Sequence, residues 1–312
     1  MPRKLEPTSA TYPPLLAAMT RPPVLYVRGR MVADDALAIA IVGSRNATPY
    51  GVATAEALAA NLAVRGMTIV SGLARGIDAA AHRGALEAGG RTVAVLGCGI
   101  DLVYPPEHRT LAGAIEQHGA LVSQFPPGTP PLRHHFPMRN AVIAGLSLGV
   151  VVVEATEKSG ALITARLAAD LGREVYAVPG RVSSAQSRGA HGLLQDGAKL
   201  VGDWTDVVQE LPEAWRRLVR DVAAPTGAAN RPAARGDSGH PKGDNRVHDG
   251  RVMDLLRPDE PRHIDDLIEQ SGLPPMRVAA ELVGLELEGR ARQMAGQRWL
   301  AVADAGWSAR RT

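Results

Sequence analysis

The stretch Gly149-Val150-Val151-Val152-Val153-Glu154-Ala155-Thr156-Glu157-Lys158-Ser159-Gly160-Ala161-Leu162 joins a run of branched apolar residues to a helical pattern through a short polar turn. The apolar run does not alternate with polar residues, which is typical of a strand that is covered on both faces. A strand, a turn and a helix in this order are the repeating unit of a parallel α/β sheet. This stretch therefore predicts the fold class.

The same pattern recurs between residues 38 and 209. Apolar runs alternate with segments that carry alanine and leucine at helical spacing. The other runs are Ala38–Val42, Met67–Val70, Thr92–Leu96, Ala120–Val122 and Glu174–Val178, and the clearest helical segments are Val52–Val64, Ile77–Glu87 and Leu162–Ala169. We therefore expect a doubly wound parallel α/β sheet with helices on both faces.

Composition divides the chain further. Residues 1–35 contain several prolines and are expected to form an extended lead over the main domain, residues 36–215. Residues 216–248 form the predicted linker, because the stretch from residue 220 onward has almost no large apolar side chains and cannot offset its ordering entropy.

Residues 249–312 predict a small C-terminal winged-helix domain. Three short helices, Arg251–Leu256, Ile264–Gln270 and Met276–Glu288, precede two strands, Arg290–Met294 and Arg298–Val302. The third helix has an excess of glutamates, a poor charge balance for approaching phosphates. We expect this domain to contact protein or to assist DNA binding weakly.

Composition also excludes several classes of protein. Of the 312 residues, 45% are apolar, which is enough for a sizeable core. The apolar runs are far shorter than the ~20 residues that span a bilayer, and the N-terminus does not resemble a secretion signal. Cys98 is the single cysteine, so no intrachain disulfide forms and a soluble, cytoplasmic protein is expected. The net charge of +3 identifies no partner.

Two turns that follow apolar runs have the composition of phosphate sites. In a doubly wound sheet, ligands bind beyond the carboxyl ends of the strands. Gly43-Ser44-Arg45 combines a glycine, which lets amides approach an anion, with a guanidinium suited to phosphate. Lys158-Ser159-Gly160 stands where a helix begins, so free amides, the helix dipole and an ammonium can converge there. A purely structural turn is the alternative for the first.

The segment Arg133-His134-His135-Phe136-Pro137-Met138-Arg139-Asn140 leads into an apolar helical segment, Ala141–Leu148. An aromatic ring among basic groups suits stacking of an unpaired base while the backbone is neutralised. The alternative is that Phe136 belongs to the core and the histidines are solvated. No further ligands stand at metal-site spacing from the two histidines, so no metal is expected.

The remaining turns suggest structural roles. Asp78 is placed to cap the helix after Ser71-Gly72, and His82 lies one turn later, where it could bond to Asp78. No nucleophile, base and oxyanion site assemble from these turns, which favours binding over catalysis. The enzyme alternative is a nucleotide-processing Rossmann-like hydrolase, but the Pro-Gly-Gly-x-Gly-Thr turn that it would use is missing.

Six motifs, in order, resemble the DNA-processing protein A family, DprA or Smf. They are Ile41–Arg45, Ser71–Asp78 with His82, Val95–Gly99 with Tyr104-Pro105, Phe136–Asn140 with Ile143–Ser147, Lys158–Ala165 and Val178–Gly180. The resemblance implies an extended Rossmann-like domain that forms a homodimer, binds single-stranded DNA and helps load the RecA recombinase in natural transformation and recombination. It implies no catalysis and no cofactor, and the C-terminal domain is also similar to that of many members.

The resemblance also implies which residues bind DNA. Ala141 departs from the family, which usually has an arginine after Arg-Asn, so one cation is missing from this segment. The DNA-binding residues carried over are Gly43, Ser44, Arg45, Arg133, Phe136, Arg139, Asn140, Lys158, Ser159 and Gly160.

Overall fold

The computed structural model describes residues 2–221, 252–257, 260–273, 275–287, 290–294 and 298–302. The chain divides into two compact units, Met1–Ala233 and Ala234–Thr312. Residues 222–248 of the predicted linker lie outside the described residues. No helix in the described part of the chain is long and apolar enough to cross a membrane.

The first unit is built on a sheet that has nine strands in the described residues, in the order β1-β2-β6-β5-β4-β3-β7-β8-β9. Every neighbouring pair from β6 to β9 is parallel. All of the predicted apolar runs form strands, within one residue at each end. The strands are β1 (Arg3–Leu5), β2 (Leu25–Gly29), β3 (Ala38–Val42), β4 (Thr68–Ser71), β5 (Thr92–Val95), β6 (Ala120–Ser123), β7 (Gly149–Val152), β8 (Glu174–Ala177) and β9 (Lys199–Leu200).

Helices cover both faces of this sheet. Along β3, Ala38, Ala40 and Val42 pack toward one layer of helices, whereas Ile39 and Ile41 pack toward the other. The first layer includes α5 and α6 and the second includes α2 and α3, so the predicted doubly wound architecture is confirmed. The helices are α1 (Pro14–Ala17), α2 (Pro49–Val64), α3 (Ile77–Glu87), α4 (Arg109–His118), α5 (His135–Gly145), α6 (Gly160–Asp170), α7 (Arg188–Gln195), α8 (Trp204–Gln209) and α9 (Glu213–Arg216).

The strand order creates a crevice between β3 and β7. After β3 the chain adds β4, β5 and β6 on one side, and it then crosses back to place β7 on the other side of β3. The loops that follow β3 and β7 therefore leave the sheet in different directions. Such a switch point is where open α/β sheets bind ligands.

The N-terminal region is not the extended lead that its prolines suggested. β1 pairs with β2, and β2 pairs antiparallel with β6, so both strands extend the parallel sheet at one edge. Leu25 and Val27 are buried, and Arg28 forms a 2.5 Å ion pair with Glu116. The prediction failed because β2 is a short strand that alternates buried with partly exposed residues, and the prolines on its N-terminal side hide that pattern.

The packed part of the first unit continues beyond the predicted boundary at residue 215. Val219 packs against the core cluster that contains Leu62, and the amide of Arg220 donates to the carbonyl of Arg65 (2.9 Å). These residues bring the chain back to the end of α2. The remaining domain boundaries stay predictions.

The second unit has the elements of a winged helix. Its described helices are α10 (Ile264–Ser271) and α11 (Pro275–Leu287), and its strands are β10 (Arg262–His263), β11 (Ala291–Met294) and β12 (Arg298–Ala301). The sheet has three strands in the order β10-β12-β11 among the described residues, where the sequence predicted two. The first predicted helix is a short 3-10 turn, Met253–Leu255. Buried apolar side chains form a separate core around Leu267, Val278, Leu282 and Trp299.

Candidate nucleic-acid interface

A cavity of about 910 Å³ opens at the switch point, beyond the carboxyl ends of the parallel strands. The turn after β3, the start of α3, the first half of α5 and the start of α6 contribute to its wall. Lys158 is exposed and is missing from the described residues that line the cavity. The structure brings together the other nine residues of the predicted site: Gly43, Ser44, Arg45, Arg133, Phe136, Arg139, Asn140, Ser159 and Gly160.

The turn after β3 is held from both sides. The amide of Ser44 donates to the carbonyl of Glu154 (2.7 Å), and the carbonyl of Ser44 accepts from the amide of Ile77 (3.2 Å). Gly76 allows this approach, because a Cβ there would lie 2.2 Å from the Ser44 carbonyl oxygen. The Ser44 amide is therefore already bonded within the protein and cannot bind an anion. The group that this turn offers to an anion is the exposed guanidinium of Arg45.

The positive end of α2 is occupied by a carboxylate of the protein. Glu154 is only 4% exposed and accepts from the amide (2.9 Å) and the hydroxyl (2.5 Å) of Thr48, the N-cap of α2. Gly51 leaves room for it, because a Cβ there would lie 2.6 Å from Glu154 Oε2. Glu154 and Thr48 are far apart in sequence, so no local pattern reveals this contact. The start of α2 is therefore not available to a phosphate.

The start of α6 is open to the cavity. Ser159 is its N-cap and accepts from the amide of Ala161 (3.3 Å), and Asn140 Nδ2 donates to the carbonyl of Gly160 (3.3 Å). Gly160 is exposed and lines the cavity. The partial positive charge of a helix start favours an anion here, and the exposed residue Lys158 directly precedes the N-cap.

α5 begins earlier in the sequence than predicted. The prediction placed Phe136, Arg139 and Asn140 in a loop before a helix at Ala141, but α5 already starts at His135. Pro137 does not prevent this early start, because proline is tolerated in the first turn of a helix, where the missing amide has no helical partner. Phe136, Arg139 and Asn140 are spaced i, i+3 and i+4, which places them on one face of the helix, toward the cavity.

Phe136 is not a core residue, although the sequence left that alternative open. Its ring is partly exposed and lies over Gly97, where a Cβ would be 2.9 Å from Cδ1. The guanidinium carbon of Arg45 lies 5.2 Å from the ring centroid. The ring of Tyr104 lies 5.8 Å away, centroid to centroid, at an interplanar angle of 51°. The cavity thus has an aromatic wall with a cation beside it.

Arg139 lies beneath the cavity, with little contact with solvent. It is 4% exposed, its Nη1 donates to the carbonyl of Val95 (2.8 Å), and burial lowers its pKa. Burial likewise raises the pKa of the carboxyl group of Asp78, an effect that the charge of Arg139 opposes. The exposed cations of the cavity wall are Arg45 and Arg133. A DNA contact by Arg139 stays a prediction.

His82 and His135 are buried against other parts of the protein, whereas His134 is exposed. Nδ1 of His82 lies 2.7 Å from the hydroxyl of Thr92, which itself donates to the Ile69 carbonyl, so His82 is the donor. Its partner is therefore Thr92 and not the predicted Asp78. Burial lowers the pKa of His82 to about 3, so it stays neutral. His135 stacks on Phe125 at 4.2 Å. No cluster of His, Cys, Asp and Glu in the described residues could hold a metal ion.

The fold and the cavity define a class of protein: an extended Rossmann-like α/β protein with an aromatic and cationic cavity at its switch point, followed in sequence by a winged-helix unit. Residues 4–212 match the family described as DNA recombination-mediator protein A, and residues 247–297 match the DprA winged helix domain. The chain therefore belongs to the DNA recombination-mediator protein A family.

Individual relatives agree with this assignment. Protein Smf of Escherichia coli is 39% identical over 301 residues, which are 96% of this chain and 75% of the relative. The X-ray structure of DNA processing protein A from Streptococcus pneumoniae has a TM-score of 0.64 and 40% identity, covering 67% of this chain and 74% of that chain. The structure of DNA processing protein A from Helicobacter pylori, described for its single-stranded DNA binding mode, has a TM-score of 0.61 and 30% identity, covering 67% and 94%.

Proposed function

We propose that this protein binds single-stranded DNA in the cavity at the switch point and helps load the RecA recombinase onto that strand in natural transformation and recombination. In this proposal it acts in the cytoplasm as a homodimer and does not turn over a substrate. Membership of the family supports the proposal, as does the single-stranded DNA binding mode described for the Helicobacter pylori relative.

The observation that carries the proposal is the partly exposed ring of Phe136, which lies close to the exposed cation Arg45 in a cavity wall that also includes the exposed cation Arg133. Proteins that grip single strands combine aromatic rings, on which bases stack, with cations that neutralise the backbone. In a double helix both faces of a base are covered by its neighbours. An aromatic ring recessed in a cavity therefore selects a base that is not held in a duplex.

The proposal of binding without catalysis rests on the carboxylates near the cavity. Glu154 is engaged by Thr48, and Asp78 is buried, where it accepts from the amide of Ala74 (3.3 Å). The hydroxyl of Ser44 accepts from the amide of Asn46 (3.1 Å). None of these three groups is placed as the free nucleophile or base that the hydrolase alternative requires. Release of a free base from a nucleotide by the purified protein would support that alternative instead.

Binding is tested by titrating a labelled single strand and a hairpin duplex of the same length with the full-length protein between 50 and 200 mM salt. We expect preference for the single strand and a steep loss of affinity with added salt, because phosphate contacts release counterions. Arg45→Ala should weaken binding and reduce the slope of log K against log[salt] by about 0.7. Equal affinity for both DNA forms would contradict the proposal.

Arg217→Ala is the matched control for the loss of one positive charge. Arg217 pairs with Glu213 (2.8 Å) close to the chain segment that contacts Arg65, at the far end of α2. α2 has 16 residues and is about 24 Å long, so Arg217 lies well away from the cavity. Its ion pair is exposed and contributes little to stability. Binding by Arg217→Ala should equal that of the wild type.

Recombinase loading and dimerisation need their own measurements. Light scattering on the purified protein tests the homodimer. Filament formation by RecA, on single strands coated with a single-strand-binding protein, tests loading when the chain is added. An Arg45→Ala variant that still dimerises should stimulate filament formation less than the wild type does, because it holds the strand less tightly. If this variant stimulated filament formation as strongly as the wild type does, RecA loading would not depend on DNA binding in the cavity.

A further inference from the structure

Tyr104 is a second aromatic residue in the wall of the cavity. Its side chain is 44% exposed, and its ring lies 5.8 Å from that of Phe136. It follows β5 in the chain, whereas Phe136 belongs to α5. Two separate parts of the fold thus place rings at the same opening.

The loop that carries Tyr104 is held in place by the turn after β4. Nδ1 of His108 lies 2.9 Å from the carbonyl of Leu73, so His108 donates there, and Glu107 pairs with Arg75 (2.5 Å). Leu73 is buried and has a φ of 58°, a left-handed conformation that residues other than glycine rarely adopt. Such conformations persist where the surrounding structure enforces them, commonly at functional sites. The loop is therefore preorganised before any ligand binds.

The distance between the rings determines how they can be used. A base inserted between two rings needs about 7 to 8 Å, twice the optimal carbon–carbon contact distance. The observed 5.8 Å is shorter, and the two planes are inclined at 51°. One base cannot lie between Tyr104 and Phe136, but each ring can receive a base of its own.

We propose that Tyr104 is a second stacking residue and that the cavity holds two adjacent unpaired bases, one on Tyr104 and one on Phe136. Arg45 lies beside the Phe136 ring and can reach the backbone between the two bases. This inference rests on the proposed function, because it assigns a second base to the same single-strand site. It predicts that the cavity distinguishes a continuous run of bases from isolated bases on an equally charged backbone.

The test compares two oligonucleotides of equal length and equal phosphate number. One is an uninterrupted thymine strand, and in the other every second base is removed to leave an abasic sugar. The full-length wild type should bind the interrupted strand about tenfold more weakly, because a stacked base contributes about 1–3 kcal/mol and 1.4 kcal/mol is tenfold. Tyr104→Leu should bind the uninterrupted strand about tenfold more weakly and should no longer distinguish the two strands.

Tyr104→Phe keeps the ring and should still distinguish the two strands, which separates stacking from the hydroxyl group. Thermal unfolding checks that each variant is folded. Equal binding of the two strands by the wild type would overturn the two-base proposal and needs no variant. If Phe136→Leu weakens single-strand binding but Tyr104→Leu does not, the proposed function stands and only this inference fails. If neither variant changes binding, the proposed function fails as well.

Discussion

At the scale of single residues, Gly72 leaves room for the buried side chains of Arg139 and Asp78. A Cβ at this position would lie 1.7 Å from Nη1 of Arg139 and 2.7 Å from Oδ2 of Asp78. Gly72→Ala would force Arg139 away from the Val95 carbonyl and leave a buried acceptor unpaired. We expect it to destabilise the protein by about 1–3 kcal/mol, measured by urea unfolding.

Gly113→Ala is the control for this prediction. Gly113 lies inside α4, and a Cβ there would have nothing within 4 Å. Alanine favours the helix over glycine, so this variant should be more stable than the wild type by about 0.5–1 kcal/mol. Equal effects of the two substitutions would show that Arg139 is not held as described.

His82 makes stability depend on pH. Its pKa is lowered from 6.5 to about 3, first by burial and then by His108 and Arg139. The unfolded chain therefore binds a proton below pH 6.5 that the folded protein takes up only near pH 3, so stability falls as the pH drops through this window. The loss reaches about 2 kcal/mol at pH 5.

His82→Leu removes this titration. The decrease in unfolding free energy between pH 7 and pH 5 should be about 2 kcal/mol smaller than in the wild type. Ile115→Val serves as a comparison, because it is expected to cost about 0.5–1.5 kcal/mol in the core without changing any titrating group. Its pH dependence should match that of the wild type. If the unfolding free energy of His82→Leu fell with decreasing pH as steeply as that of the wild type, another titrating group would be responsible for the pH dependence.

At the scale of secondary-structure elements, Glu154 links β7 to the start of α2. Glu154→Ala would leave the amide and hydroxyl of Thr48 without their acceptor, at a cost of about 1–2 kcal/mol in unfolding free energy. The same loop positions Arg45, so affinity for single-stranded DNA should fall as well. Glu154→Gln keeps one acceptor oxygen and should be intermediate in both measurements.

Asp203→Ala tests whether a loss of stability alone lowers the affinity for DNA. Asp203 caps α8 by accepting a hydrogen bond from the amide of Thr205 (2.7 Å). No residue of α8 is among the described residues that line the cavity. This variant should lose a comparable amount of stability, because an N-cap contributes about 1 kcal/mol, while DNA affinity stays unchanged. A similar loss of affinity in both variants would mean that general destabilisation, and not the β7 loop, weakens binding.

The elements differ in how far the sequence predicts them. The central strands are long apolar runs that are buried on both faces, so their residues alone identify them. β2 was missed because it is short and alternating. α5 was predicted to start at Ala141, where the apolar residues begin, whereas its first turns carry the polar and aromatic residues of the cavity. Most of the predicted cavity residues follow strands, and the geometry of parallel sheets places these together. The roles of Glu154, Gly72 and Arg139 could not be predicted in this way, because contacts between distant segments define them.

At the scale of the whole molecule, every lining residue of the cavity belongs to the first unit. A chain truncated after Asp221 should therefore keep most of its affinity for single-stranded DNA, measured with the same titration. Truncation after residue 212 removes Trp215 and Val219, which pack against the core, and should lower the unfolding temperature. Near-total loss of binding in the longer form would show that the winged-helix unit carries the DNA contact.

The cation–π contact between Arg45 and Phe136 has a consequence for the molecules that reach the cavity in a cell. A free nucleotide would have to compete with the guanidinium for the ring and could offer only its own phosphates in return. In a polynucleotide, the neighbouring phosphates can bind the guanidinium and move it off the ring without a further loss of translational entropy, because they belong to the same molecule. We therefore expect millimolar metabolite pools of mononucleotides to leave the site unoccupied, ready for a long strand.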